Sequence, residues 1–371
     1  MDEHSSAFRR WSLPSLAALA FVTSCVAAPA GSSGGPVASP SLAVGRGWSV
    51  DEREYVDLWL HAFALLTSDT ARVPLFERGY RQRIMALKRQ RNVYTNLDAN
   101  QEKLSARFAL SPSLTNAQFL ALYFPSFQEI VNATNYLMQS QGDPRAASDP
   151  QIQSEIALMA AVFPSPADRD WLRLFVQSLQ DEDNRFYHAY WTSEEQARAA
   201  VSAEVDRRWR DEYYKKFSAY LNNTQQSAGD FLLSLPLDGE GRTVNDGKRA
   251  NLVATVFPAS ATDALAPLYV FAHEVVNKVT DVAVADNTTP AQQRSGEVAR
   301  FAPNVTVRGG AMLLQRIAPE LLTGYMRYYL RSIGATSTMA DPSAAFASSF
   351  PIPDAIRDAI GRQLDVVLGG I

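Results

Sequence analysis

Phe231-Leu232-Leu233-Ser234-Leu235-Pro236-Leu237, then Asp238-Gly239, then Asn251-Leu252-Val253-Ala254-Thr255-Val256-Phe257: here a chain that otherwise reads as helix changes its texture. Each apolar run is too short for a stable helix and is bounded by turn-forming residues, so the pattern predicts two strands with a turn at Asp238-Gly239. Pro236 has no N–H to give to a ladder and belongs at an edge or at the end of a strand. Two strands alone are marginally stable, so they must pack on helices or pair with further strands.

Ahead of Asp230 the apolar spacing is helical. Ser49-Val50-Asp51-Glu52 has the form of a capping box, followed by Tyr55, Leu58, Trp59, Ala62, Phe63 and Leu66 at three-and-four spacing. A second helix is predicted from about Val73 to Arg91. Ser165-Pro166-Ala167-Asp168 supplies an N-cap, a proline at the first helical position and an acid in the first turn. It opens a helix with Trp171, Leu174, Phe175, Ser178 and Leu179 on one face, and another helix is predicted from about Ser193 to Leu221. Beyond Pro258 helix returns: Ser260 or Thr262 caps a segment to about Val284, Val307 to about Leu330 holds one or two helices, and a last one runs from near Pro353 to Gly369-Gly370. No repeat period is present. The expected fold is α+β and predominantly helical, with a helical domain over 48–225 and a small sheet with helices over 226–371.

Composition agrees with a globular body. Hydrophobic residues make up 46% of the 371, and 35 basic side chains nearly balance 39 acidic ones. That balance argues against a nucleic-acid partner, which calls for a strongly basic face. After the N-terminal segment no apolar run is long enough to span a bilayer.

The N-terminal segment reads as targeting. Arg9 and Arg10 precede an apolar stretch from Leu13 to Val22, which ends in Val22-Thr23-Ser24-Cys25. This resembles the lipobox of bacterial lipoproteins. The resemblance implies a signal peptide over 1–24, acylation of Cys25 and a palmitate-bearing anchor in the membrane. It also implies an exported protein of the bacterial cell envelope. Val26 in place of an aspartate favours the outer membrane over the inner. The competing reading is an ordinary secretory signal cleaved near Ala27-Ala28-Pro29-Ala30. Cys25 is the only cysteine, so no internal disulfide is available. Residues 25–47, rich in Gly, Ser, Pro and Ala, read as a flexible tether.

One constellation carries a chemical suggestion. Phe271-Ala272-His273-Glu274-Val275-Val276-Asn277 lies in the helical segment that follows the strands, and Glu297 stands about two dozen residues after His273. The order resembles that of gluzincins, zinc metallopeptidases with His-Glu-x-x-His on one helix and a glutamate ligand on the next. The resemblance implies His273 and Glu297 as zinc ligands and Glu274 as general base of a peptidase-like hydrolase. Asn277 stands where the second histidine belongs, and an amide oxygen is a poor zinc ligand, so the implied domain is degenerate. Asp281 has turned off the His273 face, whereas His188 from the helical domain remains a possible third donor. The structural alternatives are a Glu274–Lys278 ion pair one turn apart and a hydrogen bond between His273 and Asn277.

Other polar groups read more simply. Asp181-Glu182-Asp183 and His188 do not share a face, and Tyr187, Tyr190 and Trp191 read as core. His61 sits on an apolar face as a satisfied core histidine, and Lys88-Arg89-Gln90-Arg91 as cations closing a helix. Asn245-Asp246-Gly247-Lys248 reads as a turn. Two functions therefore stand open: a metallopeptidase-like, degenerate lipoprotein acting on peptides, and a non-catalytic lipoprotein that binds another envelope component through its helical domain.

Overall fold

The computed structural model describes residues 47–67, 71–111, 113–245, 250–335 and 341–369. The signal segment, Cys25 and the tether up to Arg46 lie outside the described residues, as do Asp246, Gly247 and Lys248 of the expected turn. Within them the fold is α+β and predominantly helical, as expected, with a four-stranded mixed sheet.

The sheet has the order β1-β2-β4-β3, where β1 is Trp48–Glu52, β2 Gly229–Ser234, β3 Arg242–Asn245 and β4 Asn251–Val256. The two expected strands are β2 and β4, and they pair in parallel. β3 lies antiparallel on the outer side of β4. β1 is a correction: Ser49–Glu52, expected as a helix start, pairs in parallel with β2. The local Ser-x-x-Glu signal lost to ladder hydrogen bonds and to burial of Trp48, whose indole Nε1 donates to Gln226 O at 2.8 Å. The sheet thus crosses the expected division at 225/226, and buried side chains form one continuous core. Parallel strands buried on both faces explain why β2 and β4 read as unbroken apolar runs. At Gly229 an added Cβ would lie 2.4 Å from Asn251 O, so only glycine lets β2 approach β4 there.

The longest feature is a continuous helix, here the spine, from Pro166 to Asn223. Ser165 caps it as expected, its side chain accepting from the Asp168 N–H. The two helices expected over this range are one, because no glycine or proline occurs between Ala167 and Asn223. At 1.5 Å per residue it is roughly 85 Å long. Two wide turns interrupt the α-helical ladder: the His188 N–H donates to Asp183 O, and the Tyr214 N–H to Trp209 O, each five residues back.

The predicted second helix begins later than expected. It covers Tyr80–Gln90, because Gly79 enters at φ 83° and Phe76 bridges to Leu237. The segment after Pro258 is also divided: Ser260 caps only a short turn, a helix covers Ala266–Val275, and a second covers Asn277–Asp286. Two long helices follow, Glu297–Ile317 and Pro319–Ser332, and Asp354–Val367 closes the chain's helices with Pro353 at its N-cap. The core of the sheet region is aromatic. Phe271 lies within 4.7–5.6 Å, centroid to centroid, of Trp48, Trp209, Phe217 and Phe231.

Candidate functional site

His273 and Glu274 occupy the last turn of Ala266–Val275, and both are buried. His273 Nδ1 lies 3.0 Å from Glu274 Oε1, and the ring stacks on Tyr329 at 5.4 Å and 25°. Thr243 of β3 donates its hydroxyl to Glu274 Oε2 at 3.1 Å. Burial opposes ionisation of Glu274, but the hydrogen bond and charge of His273, the nearby Arg242 guanidinium and Thr243 outweigh it and hold the carboxyl below its usual range. Arg242 itself covers the face of Phe119 at 4.0 Å. Gly241 permits the contact: a Cβ there would meet Ala254 O at 2.4 Å and Glu274 Cγ at 2.9 Å. Glu274 therefore fastens the edge strand β3 to the helix beneath it. Arg242, Thr243 and Tyr329 carried no sequence signal for this role, since β3 and the Pro319–Ser332 helix are separate elements from the one that carries Glu274.

The remaining motif residues do not converge on His273. The helix ends at Val275 and restarts at Asn277, with Val276 at ψ −13°, so the i,i+4 relation of an unbroken motif helix is interrupted. Glu297 is exposed in the first turn of the Glu297–Ile317 helix, where it accepts from Gln292 Nε2 at 3.3 Å. Zinc ligands must each reach about 2 Å from one metal position. Here one nitrogen of the imidazole is turned to its own neighbour, the carboxylate faces solvent and Asn277 opens a different helix. This donor set does not fit a zinc ion, and among the described residues no group of three or more His, Cys, Asp or Glu side chains is placed to hold a metal. His188 is exposed on the spine, with Nδ1 2.7 Å from Glu54 Oε1, and that contact raises its pKa. Both structural alternatives differ from what is found: His273 bonds Glu274 instead of Asn277, and Lys278 has no carboxylate partner among the described residues.

A second buried polar cluster lies where the spine first widens. His61 is a core histidine as expected, with Nδ1 2.9 Å from the Tyr80 hydroxyl and Nε2 3.1 Å from Glu182 Oε1. Lys88 is a correction. Read as a surface cation closing a helix, it is buried, with Nζ 2.8 Å from Glu182 Oε2 and 2.6 Å from Asp98 Oδ2. Thr95 donates to Glu182 and caps the Asn96–Leu110 helix, which had no sequence reading of its own. Burial would raise the Glu182 carboxyl, but His61 and the Lys88 ammonium hold it at about 2. Tyr187 and Tyr190 are core, as expected. Nearby, Asp57 accepts from Ser234 Oγ at 2.5 Å, Trp191 Nε1 at 3.0 Å and the Leu235 N–H at 3.2 Å, and burial pushes its carboxyl up to about 7. These bonds join the Glu54–Leu66 helix to the spine and to the end of β2. The carboxylates of Glu182 and Asp57 are closed off from solvent and fully engaged, whereas the buried Tyr187 hydroxyl beside His61 makes no hydrogen bond, and the cluster fixes how the helical region sits on the sheet.

Comparison with known proteins finds no matching family model, no matching curated protein and no matching solved structure.

Proposed function

We propose that the chain is an exported lipoprotein of the cell envelope, held at a membrane surface by acylated Cys25, whose folded body binds a partner and does not catalyse. The observation that carries this reading is the run Arg9-Arg10, Leu13 to Val22 and Val22-Thr23-Ser24-Cys25, with the only thiol of the chain at its end. A single acyl chain gives only marginal anchoring, so stable attachment calls for a second acyl chain or a second contact. Among the described residues no helix is long and apolar enough to cross a membrane. The binding reading is supported by the state of the His273–Glu274 pair, in which His273 Nδ1 and Glu274 Oε1 engage each other and Glu274 Oε2 is held by Thr243 of β3.

The test is the N-terminus of the mature protein. Expressed in a bacterial host with a labelled fatty acid, the wild type should carry label on an N-terminal Cys25 and sediment with membranes, and Cys25→Ser should lose the label. Recovery of unlabelled wild-type protein beginning near Ala27-Ala28-Pro29-Ala30 would overturn the proposal.

A further inference from the structure

Only five large apolar side chains are exposed among the described residues: Tyr94, Leu110, Tyr123, Val282 and Val366. Two of the five, Val282 (47% exposed) and Val366 (62% exposed), line one open groove of about 470 Å³ between Asn277–Asp286 and Asp354–Val367. Val279 and Val367 complete its apolar lining, and Lys278 and Arg362 flank it. Each cation stands one turn before an exposed valine on its own helix. The two helices run in opposite directions, because Asn223 Nδ2 bonds Val367 O at 2.6 Å while the neighbouring Gln226 Nε2 bonds Val275 O at 3.3 Å. Lys278 is therefore level with Val366, and Arg362 with Val282. Neither cation has a carboxylate partner among the described residues, and no acid lines the groove. Of the carboxylates on the same helices nearby, Asp365 is engaged by Arg316 at 2.7 Å. Asp281 lies outside the groove, and burial, with Glu274 close by, raises its carboxyl pKa.

A second, independent observation concerns where the chain enters the fold. Thr224 lines the groove, its hydroxyl accepts from Gln226 Nε2 at 2.9 Å, and Gln226 O accepts from the Trp48 indole at 2.8 Å. The Gly229 N–H donates to Gly47 O at 3.2 Å. The groove and the start of the described chain at Gly47 and Trp48 are thus joined through one short segment, 224–229.

We propose that the groove between Asn277–Asp286 and Asp354–Val367 is a second membrane contact, in which Val282 and Val366 enter the acyl boundary of an anionic bilayer while Lys278 and Arg362 meet its phosphates. This deepens the lipoprotein reading and rests on it for the direction of the tether. Exposed apolar side chains flanked by cations are the chemistry of an interfacial site. Attachment at Cys25, only 22 positions before Gly47, keeps a weak contact of the folded body at high effective concentration. Each cation near an anionic surface is expected to give about a fivefold gain in partitioning, reduced by salt.

The test uses the full mature chain. With Cys25 acylated, Val366→Cys introduces a single free thiol for a polarity-sensitive fluorophore, and Tyr94→Cys serves as control. Asn96 N bonds Asp181 at 2.7 Å, so Tyr94 sits near residue 181 of the spine, about 60 Å along it from Asn223. Flotation with vesicles of phosphatidylcholine, with and without phosphatidylglycerol, reports attachment separately from the fluorophore. The probe at 366 should shift to the blue on phosphatidylglycerol vesicles and the probe at 94 should not. Lys278→Gln combined with Arg362→Gln should reduce the preference for the anionic vesicles by more than tenfold. Flotation with an unshifted probe at 366 overturns the groove and leaves the anchor standing. Recovery of wild-type chain with Cys25 unacylated, together with flotation that the double substitution abolishes, leaves the groove standing and overturns the anchor, while absence of flotation of the acylated chain overturns both. A shift at 366 that follows protein concentration without vesicles assigns the groove to a second copy of the chain and overturns the membrane contact.

Discussion

Glu182→Gln is the most informative perturbation of the buried cluster. Glu182 is fully buried and receives bonds from His61, Lys88 and Thr95. Its carboxyl is depressed from 4.5 to about 2. At about 1.4 kcal/mol per unit, that shift corresponds to about 3 kcal/mol of stability at neutral pH. Because the folded-state value is the lower one, the contribution is complete above about pH 4.5 and is lost as the pH falls toward 2. The glutamine keeps the size but removes the charge, leaving Lys88 with Asp98 alone. Removing one partner of a buried pair costs several kcal/mol because the other stays desolvated, so a loss of about 3 kcal/mol is expected at pH 7. The assay is equilibrium urea unfolding of wild type and variant from pH 7 downward, with the gap between them narrowing below about pH 4.5. Lys88→Met should cost at least as much, since it strands two carboxylates. A Glu182→Gln variant within about 0.5 kcal/mol of wild type at pH 7, the range of ordinary surface changes, would refute the reasoning. So would a gap that does not change with pH.

Three further outcomes are expected. Asp57 is raised to about 7 in the fold, so its contribution is complete below about pH 3.8 and is lost as the pH rises through 7. Asp57→Asn, whose amide can donate to Ser234 while its oxygen keeps the Trp191 and Leu235 bonds, should remove that dependence. At pH 8 it should be more stable than wild type by on the order of 4 kcal/mol, read from urea midpoints across pH. Asn277→His should gain no stoichiometric zinc by metal analysis after dialysis, because His273 and Glu297 do not face one position; a tight zinc lost again on His273→Ala would show that they converge. Phe271→Ala should cost about 3–5 kcal/mol, since it opens a cavity among Trp48, Trp209, Phe217 and Phe231, and thermal unfolding near the wild-type temperature would contradict it.

Part of the candidate site was legible beforehand. His61 was recognisable as a core histidine from the apolar residues around it, and the same reasoning extends to Tyr187 and Tyr190. Lys88 and Glu182 were not recognisable, because each stands in a locally charged run that suits a solvated surface. Their burial arises only where the Tyr80–Gln90 helix meets the spine, 94 positions apart in sequence. The motif around His273 shows the opposite case. Spacing suggested that His273 and Glu297 belong together, but spacing fixes distance along the chain and not direction in space.

By itself the sequence determined the class of the fold and most of its local elements. The proline and acid after Ser165 set the spine's beginning, the absence of glycine and proline from Ala167 to Asn223 permitted its length, and the apolar runs at 231–237 and 251–257 became β2 and β4. These follow from backbone propensity and short-range periodicity, which act within a few residues. The tertiary structure decided the rest: Ser49–Glu52 as a strand, the parallel pairing of β1, β2 and β4, and the division of the motif segment at Val276. It also placed Glu274 under β3 and Glu297 at the surface. In each case the backbone had local options of similar free energy. The choice fell to partners far away in the chain, whose ladder bonds, buried area and paired charges exist only once the chain has folded.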